Sequence, residues 1–323
     1  MSVQPPTSDI QPTAPAAAEP SPPAPLHPLL GARLKDWAEL LRLPNIFTAV
    51  ADPLAGALVM GAGWHQTGEI LVVMLASACY YTGGMALNDW NDYRRDVIER
   101  PQRPLPSKRI SRWRALIAAV LLLCTGQTLT SALDPAVGGV SVLLLVCIVL
   151  YDVLMKNIPI APAIMGTARG LNLLMGMTIM NTVAHAPHFY PAVALCLYVT
   201  GITVFARREA GPSRKEQLLV GAGFMALGLL MLALLWLFFV EKVGVAAGEL
   251  WVLLLAAAIA YTAIQAILTP APVRIQRAVK VGVLGIIVFD AALVAFRCGL
   301  PLSALVVVLL LPAVWLGRWL YST

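Results

Sequence analysis

Four side chains with oxygen ligands lie close together directly after an apolar run that ends at Leu87. They are Asn88, Asp89, Asp92 and Asp96. If one helix continues through this stretch, spacings of three, four, seven and eight residues place all four on one face. Three carboxylates on one face repel each other unless a positive charge lies among them. A hard divalent cation such as Mg²⁺ would supply it, because carboxylates suit Mg²⁺ and the ion also bridges to phosphates.

The same spacing has a simpler interpretation. The carboxylates could belong to a solvated helix end and pair with the neighbouring Arg94 and Arg95. Spacing alone leaves both interpretations open.

A second short pattern follows the carboxylates at a fixed distance. The first stretch reads Asn-Asp-x-x-Asp-x-x-x-Asp, and Arg103, Pro104, Pro106 and Ser107 then form Arg-Pro-x-Pro-Ser. Together they resemble the first aspartate-rich motif of the UbiA superfamily of intramembrane prenyltransferases, and the chain is most similar to its EboC-like subgroup. Lys108 stands where many members have Gly. The resemblance covers roughly residues 38–298.

The resemblance implies a function and a set of site residues. It implies Mg²⁺-dependent transfer of a prenyl group from a polyprenyl diphosphate to a small aromatic acceptor within the membrane. The implied Mg²⁺ ligands are Asn88, Asp89, Asp92 and Asp96, and the implied catalytic residues are Asp92, Tyr151, Lys156 and Arg169. The implied substrate-binding residues are Asn45, Arg103, Asn172, Arg207, Arg208, Glu209 and Lys215.

Tyr151 and Lys156 end the fourth predicted membrane helix. Many family members have a Tyr-x-x-x-Lys element there, and here the spacing is one residue longer. Lys156 would neutralise a phosphate, and Tyr151 would donate to it or lie beside a developing cation. The alternative is an interfacial Tyr and a Lys that only follows the positive-inside rule.

Arg169 and Asn172 lie within the fifth predicted membrane helix, on one face. An Arg at mid-membrane costs about 2.5–3.5 kcal/mol on insertion scales, so it is expected to face a bundle interior or a cavity. Arg169 would hold a diphosphate there, or it would pair with a buried carboxylate such as Asp52 or Asp290.

The second aspartate motif of the family, which holds a second Mg²⁺, is missing after the sixth predicted helix. The segment 205–216 offers Glu209 and Glu216 as carboxylates. Four basic residues surround them, namely Arg207, Arg208, Arg214 and Lys215. Two hypotheses follow: basic side chains replace the second metal, or the protein is a carrier or transporter that binds a lipid diphosphate without turnover.

Composition gives the class of protein. Of 323 residues, 59% are hydrophobic and only 12% are charged, against about 25% charged in soluble domains. The chain is therefore predicted to be an all-α, polytopic membrane protein. Residues 1–28 are rich in Pro and Ala without periodicity, which predicts a disordered tail. Four of the five cysteines, Cys79, Cys124, Cys147 and Cys196, lie inside apolar runs and are interpreted as small apolar residues.

The remaining residues, 29–323, are predicted to form one UbiA-like domain. A short interfacial helix near 29–42 precedes ten membrane helices. They are predicted near 45–62, 69–88, 113–132, 137–155, 161–182, 189–206, 217–240, 249–269, 278–297 and 302–320. Members of the family have nine such helices, so the last one is predicted to be an addition.

Basic residues predict the orientation. They concentrate in the connections near 89–112, 207–215 and 274–277. The intervening connections contain few, so the positive-inside rule places the amino terminus and the aspartate motif in the cytoplasm, as at a bacterial inner membrane. Because the basic residues follow one membrane face, nucleic-acid binding is not indicated.

Overall fold

The protein is described from a computed structural model, which covers residues 30–155, 158–180, 189–207, 215–238 and 245–320. Within these ranges all regular secondary structure is helical. The first helices are α1 (Leu30–Leu40), α2 (Ile46–Val59), α3 (Thr67–Asn91), α4 (Tyr93–Glu99), α5 (Arg112–Leu133) and α6 (Pro135–Val149). The others are α7 (Ala161–Met177), α8 (Phe189–Ala206), α9 (Lys215–Ala233), α10 (Val245–Leu268), α11 (Pro272–Cys298), α12 (Leu300–Val307) and α13 (Leu310–Leu316).

Each of the ten predicted membrane segments coincides with helix in this part of the chain. Seven helices are long and apolar enough to cross a membrane, namely α3, α5, α6 with its π-helical extension, α8, α9, α10 and α11. Helix α2 has only 14 residues and α7 has 17. Helix α1 begins and ends close to the bounds predicted for the interfacial helix. The predicted tail at 1–28 and the loop at 183–188 lie outside the described residues.

The predicted tenth segment is present as two short helices, α12 and α13. Pro312 explains the interruption, because it has no N–H to donate to the carbonyl of Val308 and its ring crowds that carbonyl. The N–H of Leu311 donates to Val308 instead, at 3.0 Å. The pair packs against α2 and α11.

Helix α2 is central to the bundle and packs against α3, α7 and α11. Small residues allow the close approach to α7: a side chain at Gly56 would overlap the carbonyl oxygen of Leu173, and one at Gly176 would overlap the backbone of Pro53. Close backbone approach through small residues is a common means of helix association in membranes.

Pro53 frees a carbonyl inside α2. Since it has no N–H, the carbonyl of Ala49 lacks its helical partner. The hydroxyl of Ser77 in α3 and the amide of Asn172 in α7 both donate to this carbonyl, each at 2.8 Å. One proline in α2 therefore joins three helices by hydrogen bonds.

Candidate active site

The end of α3 brings the aspartate cluster out of the apolar bundle. Asp92 lies at the junction between α3 and α4, with φ −77° and ψ −1°. Its N–H donates to the carbonyl of Asn88, and the N–H of Asp96 donates to the carbonyl of Asp92, both at 2.9 Å. Helical hydrogen bonding thus continues through the junction, as the spacing required.

The positive charge among these carboxylates comes from outside α3 and α4. The guanidinium of Arg103 donates to Asp96 at 2.8 Å and to Asp89 at 3.4 Å. Arg42 donates to the same oxygen of Asp89 at 3.3 Å. Arg95, one of the pair favoured by the simpler interpretation, lies 4.0 Å from Glu99.

The segment after α4 positions the side chain of Arg103 toward the carboxylates. The hydroxyl and the N–H of Ser107 both donate to the carbonyl of Arg103, at 2.7 and 3.0 Å. Leu105 and Ile110 are buried in a small apolar cluster with Leu40 of α1. These contacts explain the Arg-Pro-x-Pro-Ser pattern as a scaffold for one buried guanidinium.

Lys108 adopts a left-handed backbone conformation, with φ +60°. This conformation favours Gly, because a Cβ is disfavoured there. This backbone conformation therefore explains why many family members have Gly at this position.

Arg42 also has a left-handed backbone, with φ 48° and ψ 49°. Burial disfavours its charged form, but the negative field of Asp89, with Asp152 and Asp96, outweighs burial and raises the pKa of the guanidinium. Arg42 is therefore a fixed positive charge beside the carboxylates.

A fourth carboxylate joins the cluster from α6. Asp152 is buried in the π-helical turn Leu150–Met155 and accepts a hydrogen bond from the Asn88 amide at 2.7 Å. Asn91 donates to the backbone carbonyl of Asp152 at 2.8 Å. Sequence reasoning missed both Asp152 and Arg42. For Asp152 a signal was available, because a carboxylate next to Tyr151 at the end of an apolar helix is unusual.

A polar cavity of about 680 Å³ opens beside the cluster. Asn88 and Asp92 line it, together with Tyr151. Five arginines also line it, namely Arg42, Arg95, Arg100, Arg103 and Arg207. Such a concentration of guanidinium groups suits a multiply charged anion, which Arg binds in a bidentate manner.

A smaller cavity of about 90 Å³, lined mainly by apolar side chains, adjoins the polar one. Met85, Tyr151 and Met165 line both. Leu144 and Ile148 of α6 are among the apolar residues of the smaller cavity. The two cavities together match a molecule with an anionic head and an apolar chain.

Arg169 and Asn172 line the smaller cavity and hold a buried carboxylate. Arg169 donates to Asp52 at 3.0 Å, and to the carbonyl and the hydroxyl of Thr48 at 3.0 Å each. Asn172 donates to the same oxygen of Asp52 at 2.7 Å. The guanidinium also lies over the ring of Tyr81, 5.7 Å from its centre. Arg169 therefore pairs with a buried carboxylate, which is one of the two roles predicted for it.

The other sequence candidates are dispersed. Asn45 ends a short 3₁₀ turn before α2 and is not among the residues that line either cavity. Lys215 is exposed at the start of α9 and also lines neither. Lys156, Arg208 and Glu209 lie outside the described residues. The second motif was expected in segment 205–216. Among the described basic residues of that segment, Arg207 lines the polar cavity.

The residues present fit a Mg²⁺ ion that shares its ligands with a substrate. In the described ranges, no three acidic, His or Cys side chains already converge as a metal site. However, Asp92 and Asn88 face the polar cavity, and the Asn88 amide nitrogen is committed to Asp152, which leaves its oxygen as a ligand. Mg²⁺ typically takes one or two carboxylates and completes its shell with phosphates and water.

Fold and cavities define a helical membrane protein with an arginine-lined polar cavity beside a smaller apolar one. The family model for the UbiA prenyltransferase family matches residues 53–284. The chain therefore belongs to the UbiA prenyltransferase family and is an integral, multi-pass membrane protein. The similarity to the EboC-like subgroup stays a prediction.

Curated relatives share part of the chain. The chain is 32% identical over 123 residues to digeranylgeranylglyceryl phosphate synthase from Methanothrix thermoacetophila, covering 38% of this chain and 46% of that protein. It is 27% identical over 169 residues to the enzyme of the same name from Thermococcus kodakarensis, covering 52% and 60%. The chain thus matches about half the length of these relatives.

Solved structures share the fold over most of the chain. A UbiA homologue from Aeropyrum pernix K1 superposes with a TM-score of 0.63 at 16% identity, covering 77% of this chain and 96% of that one. A UbiA homologue from Archaeoglobus fulgidus, bound to GPP and Mg²⁺, gives 0.60 at 12% identity, covering 80% and 99%. These similarities show the fold.

Proposed function

We propose that the protein transfers a prenyl group from a polyprenyl diphosphate to an acceptor within the membrane, with Mg²⁺ as cofactor. The observation that carries the proposal is the contact between the two cavities at Met85, Tyr151 and Met165. One cavity offers guanidinium groups and oxygen ligands to a diphosphate, and the other offers apolar walls to the chain. The homologue from Archaeoglobus fulgidus, solved with GPP and Mg²⁺, supports this assignment.

The residues of the polar cavity have different roles in this proposal: some bind Mg²⁺, some position Arg103, and some supply positive charge. Asn88 and Asp92 would hold Mg²⁺, which, when bound, neutralises charge on the leaving diphosphate. Asp89 and Asp96 keep Arg103 in place at the cavity wall, and they become available as further ligands if Arg103 moves to a phosphate. Arg42 and Arg207 add positive charge from two other elements. This is the electrostatic stabilisation that bond ionisation needs.

Tyr151 and the apolar cavity handle the other product of ionisation. When the allylic C–O bond breaks, the bonding electrons leave with the diphosphate and an allylic cation remains. Tyr151 lies where the polar and apolar cavities meet, so its ring can face that cation. Apolar walls exclude water, which would otherwise capture the cation. In this assignment Arg169 keeps the cavity wall in place through Asp52, and Lys156 assists at the phosphate.

The acceptor has two supported classes. The resemblance noted in the sequence favours an aromatic acceptor. The names of the curated relatives favour a glycerol phosphate derivative. Both classes belong in one acceptor panel.

A second candidate function is binding without turnover. It is favoured by the segment 205–216, which lacks the aspartates of a second metal motif. Arg207 in the cavity wall argues for the enzyme, because a guanidinium can stabilise a leaving phosphate in place of a metal.

The test is an assay of the purified protein with Mg²⁺, prenyl diphosphates of several lengths and the acceptor panel. Diphosphate release that depends on Mg²⁺ and on an acceptor supports the enzyme. Saturable binding of prenyl diphosphate with no release in any combination supports the carrier.

A further inference from the structure

Two carboxyl groups lie fully buried between α2 and α11. Asp52 in α2 and Asp290 in α11 each have 0% exposure. Neither lines the polar or the apolar cavity. The cation beside them is Arg169 of α7, 3.0 Å from Asp52.

The charges of this group do not balance. If both carboxyl groups are ionised, Arg169 neutralises one of them and a net charge of −1 remains. Among the described residues, the charged groups that act on Asp290 are Asp52 and Arg169. An uncompensated charge in the apolar interior of a membrane protein is strongly unfavourable. One more positive charge is therefore required.

Hydrogen bonding is unbalanced in the same place. Asp52 and Asp290 lie on α2 and α11, which pack against each other, and each carboxyl group acts directly on the other. Nevertheless, among the described residues one oxygen of Asp52 and both oxygens of Asp290 meet no donor. Two ionised carboxylates have only acceptors to offer each other, whereas a protonated carboxyl group has an O–H to donate. A single proton would correct the charge and supply the donor.

We propose that Asp52 and Asp290 bind one proton between them and join α2 to α11 through a carboxylic acid–carboxylate hydrogen bond. Asp290 carries the proton, because the other oxygen of Asp52 accepts from Arg169 and Asn172 and its negative charge is needed there. The O–H of Asp290 then donates to the oxygen of Asp52 that meets no other donor. A proton needs no ligand shell or cavity, unlike a metal ion.

The shared proton acts on the prenyl site through position. It holds α2 against α11, and α2 holds Arg169 through Thr48 and Asp52. Arg169 and Asn172 are part of the wall of the apolar cavity. Asp290 is therefore a positioning residue outside both cavities.

The first test compares two matched substitutions in the full-length protein in lipid nanodiscs. Asp290→Asn replaces a neutral acid by a neutral amide that can donate to Asp52, so its melting temperature should stay within about 2 °C of the wild type. Asp52→Asn leaves Arg169 without its carboxylate and should lower melting by roughly 5–10 °C, or prevent folding. An Asp290→Asn protein that is destabilised as strongly as Asp52→Asn would overturn the proposal.

The second test looks for the proton and for its rival, a metal cation. The infrared spectrum of the wild type minus that of Asp290→Asn should contain the carbonyl band of a protonated carboxylic acid, and this band should shift in D₂O. Its absence would overturn the proposal. Wild-type melting should not change when Na⁺ and K⁺ are replaced by choline and divalent ions are chelated. A loss of stability that occurs in the wild type but not in Asp290→Asn would assign a metal ion instead.

Discussion

At the scale of single residues, Asp92 differs from its acidic neighbours because it lines the polar cavity, whereas Asp89 and Asp96 are bound to Arg103. Asp92→Asn keeps the size and polarity of the side chain but removes the charge that Mg²⁺ needs. We expect turnover to fall by more than about a hundredfold. Steady-state diphosphate release with titrated Mg²⁺ measures this.

Glu99→Gln is the matched control for Asp92→Asn. It removes one carboxylate charge from the exposed end of α4, where the side chain is 59% exposed, and should leave turnover unchanged. Normal turnover and normal Mg²⁺-dependent binding in Asp92→Asn would refute the Mg²⁺–diphosphate assignment.

Arg207 allows a second comparison at this scale. It lines the polar cavity, whereas Lys215, which belongs to the same basic segment, is exposed at the start of α9. Since a charge-assisted hydrogen bond contributes about 1.5–3 kcal/mol, Arg207→Gln should weaken prenyl diphosphate binding by roughly 10- to 100-fold. Lys215→Gln should have little effect. Equal effects in a binding titration would show that the segment acts only through its overall charge.

At the scale of elements, the connection from α4 to α5 contains a strained residue. Lys108 has φ +60°, which costs about 1–2 kcal/mol for a residue with a Cβ. Gly removes this cost but gives the unfolded chain about 0.4–1 kcal/mol more conformational freedom. Lys108→Gly should therefore raise the free energy of unfolding by up to about 1.5 kcal/mol, seen as a small increase in melting temperature.

Ser107→Gly provides the contrast to Lys108→Gly. The backbone of Ser107 itself is not left-handed, and the substitution removes the hydroxyl that donates to the carbonyl of Arg103. Melting should occur at a lower temperature. If both glycine substitutions destabilised the protein equally, the conformational explanation for Lys108 would be wrong.

Much of the element scale could be predicted from the sequence. Long apolar runs such as 189–206 have sharp polar ends, and α8 (Phe189–Ala206) has the predicted bounds. The break between α12 and α13 depends on Pro312, whose effect the predicted helix near 302–320 did not include. The π turn that buries Asp152 has no such sequence marker, because it depends on contacts with Asn88 and Asn91.

The site was predictable in part for a similar reason. Asn88 to Asp96 repeat at helical spacing along one element, so sequence alone brings them together. Arg42 and Arg103 reach Asp89 across 47 and 14 residues, and no periodicity reports such contacts. The sequence predicts that Arg169 faces the bundle interior or a cavity, but it leaves open whether its partner is a diphosphate or a carboxylate such as Asp52 or Asp290.

At the scale of the whole molecule, the basic connections predict the orientation. Cysteine labelling in intact cells should reach positions in 100–112 and 210–216 only from the cytoplasmic side, and positions in 183–188 only from the opposite side. A matched pair of sites in one membrane preparation checks this. Labelling of 183–188 from the cytoplasm would reverse the predicted topology.

The hydrogen bonds of Asp52 also constrain the order in which helices can insert into the membrane during synthesis. Its partners Arg169 and Asn172 lie 117 and 120 residues further along the chain. Until α7 emerges from the ribosome, the 14-residue α2 carries a lone carboxyl group, at an insertion cost of about 2.5–3.5 kcal/mol. We therefore expect nascent chains that stop before residue 161 to insert α2 poorly, and chains that extend through α7 to insert it well. Glycosylation mapping of staged truncations would measure the inserted fraction of α2. Asp52→Leu removes the carboxyl group, so α2 should then insert before α7 is synthesised.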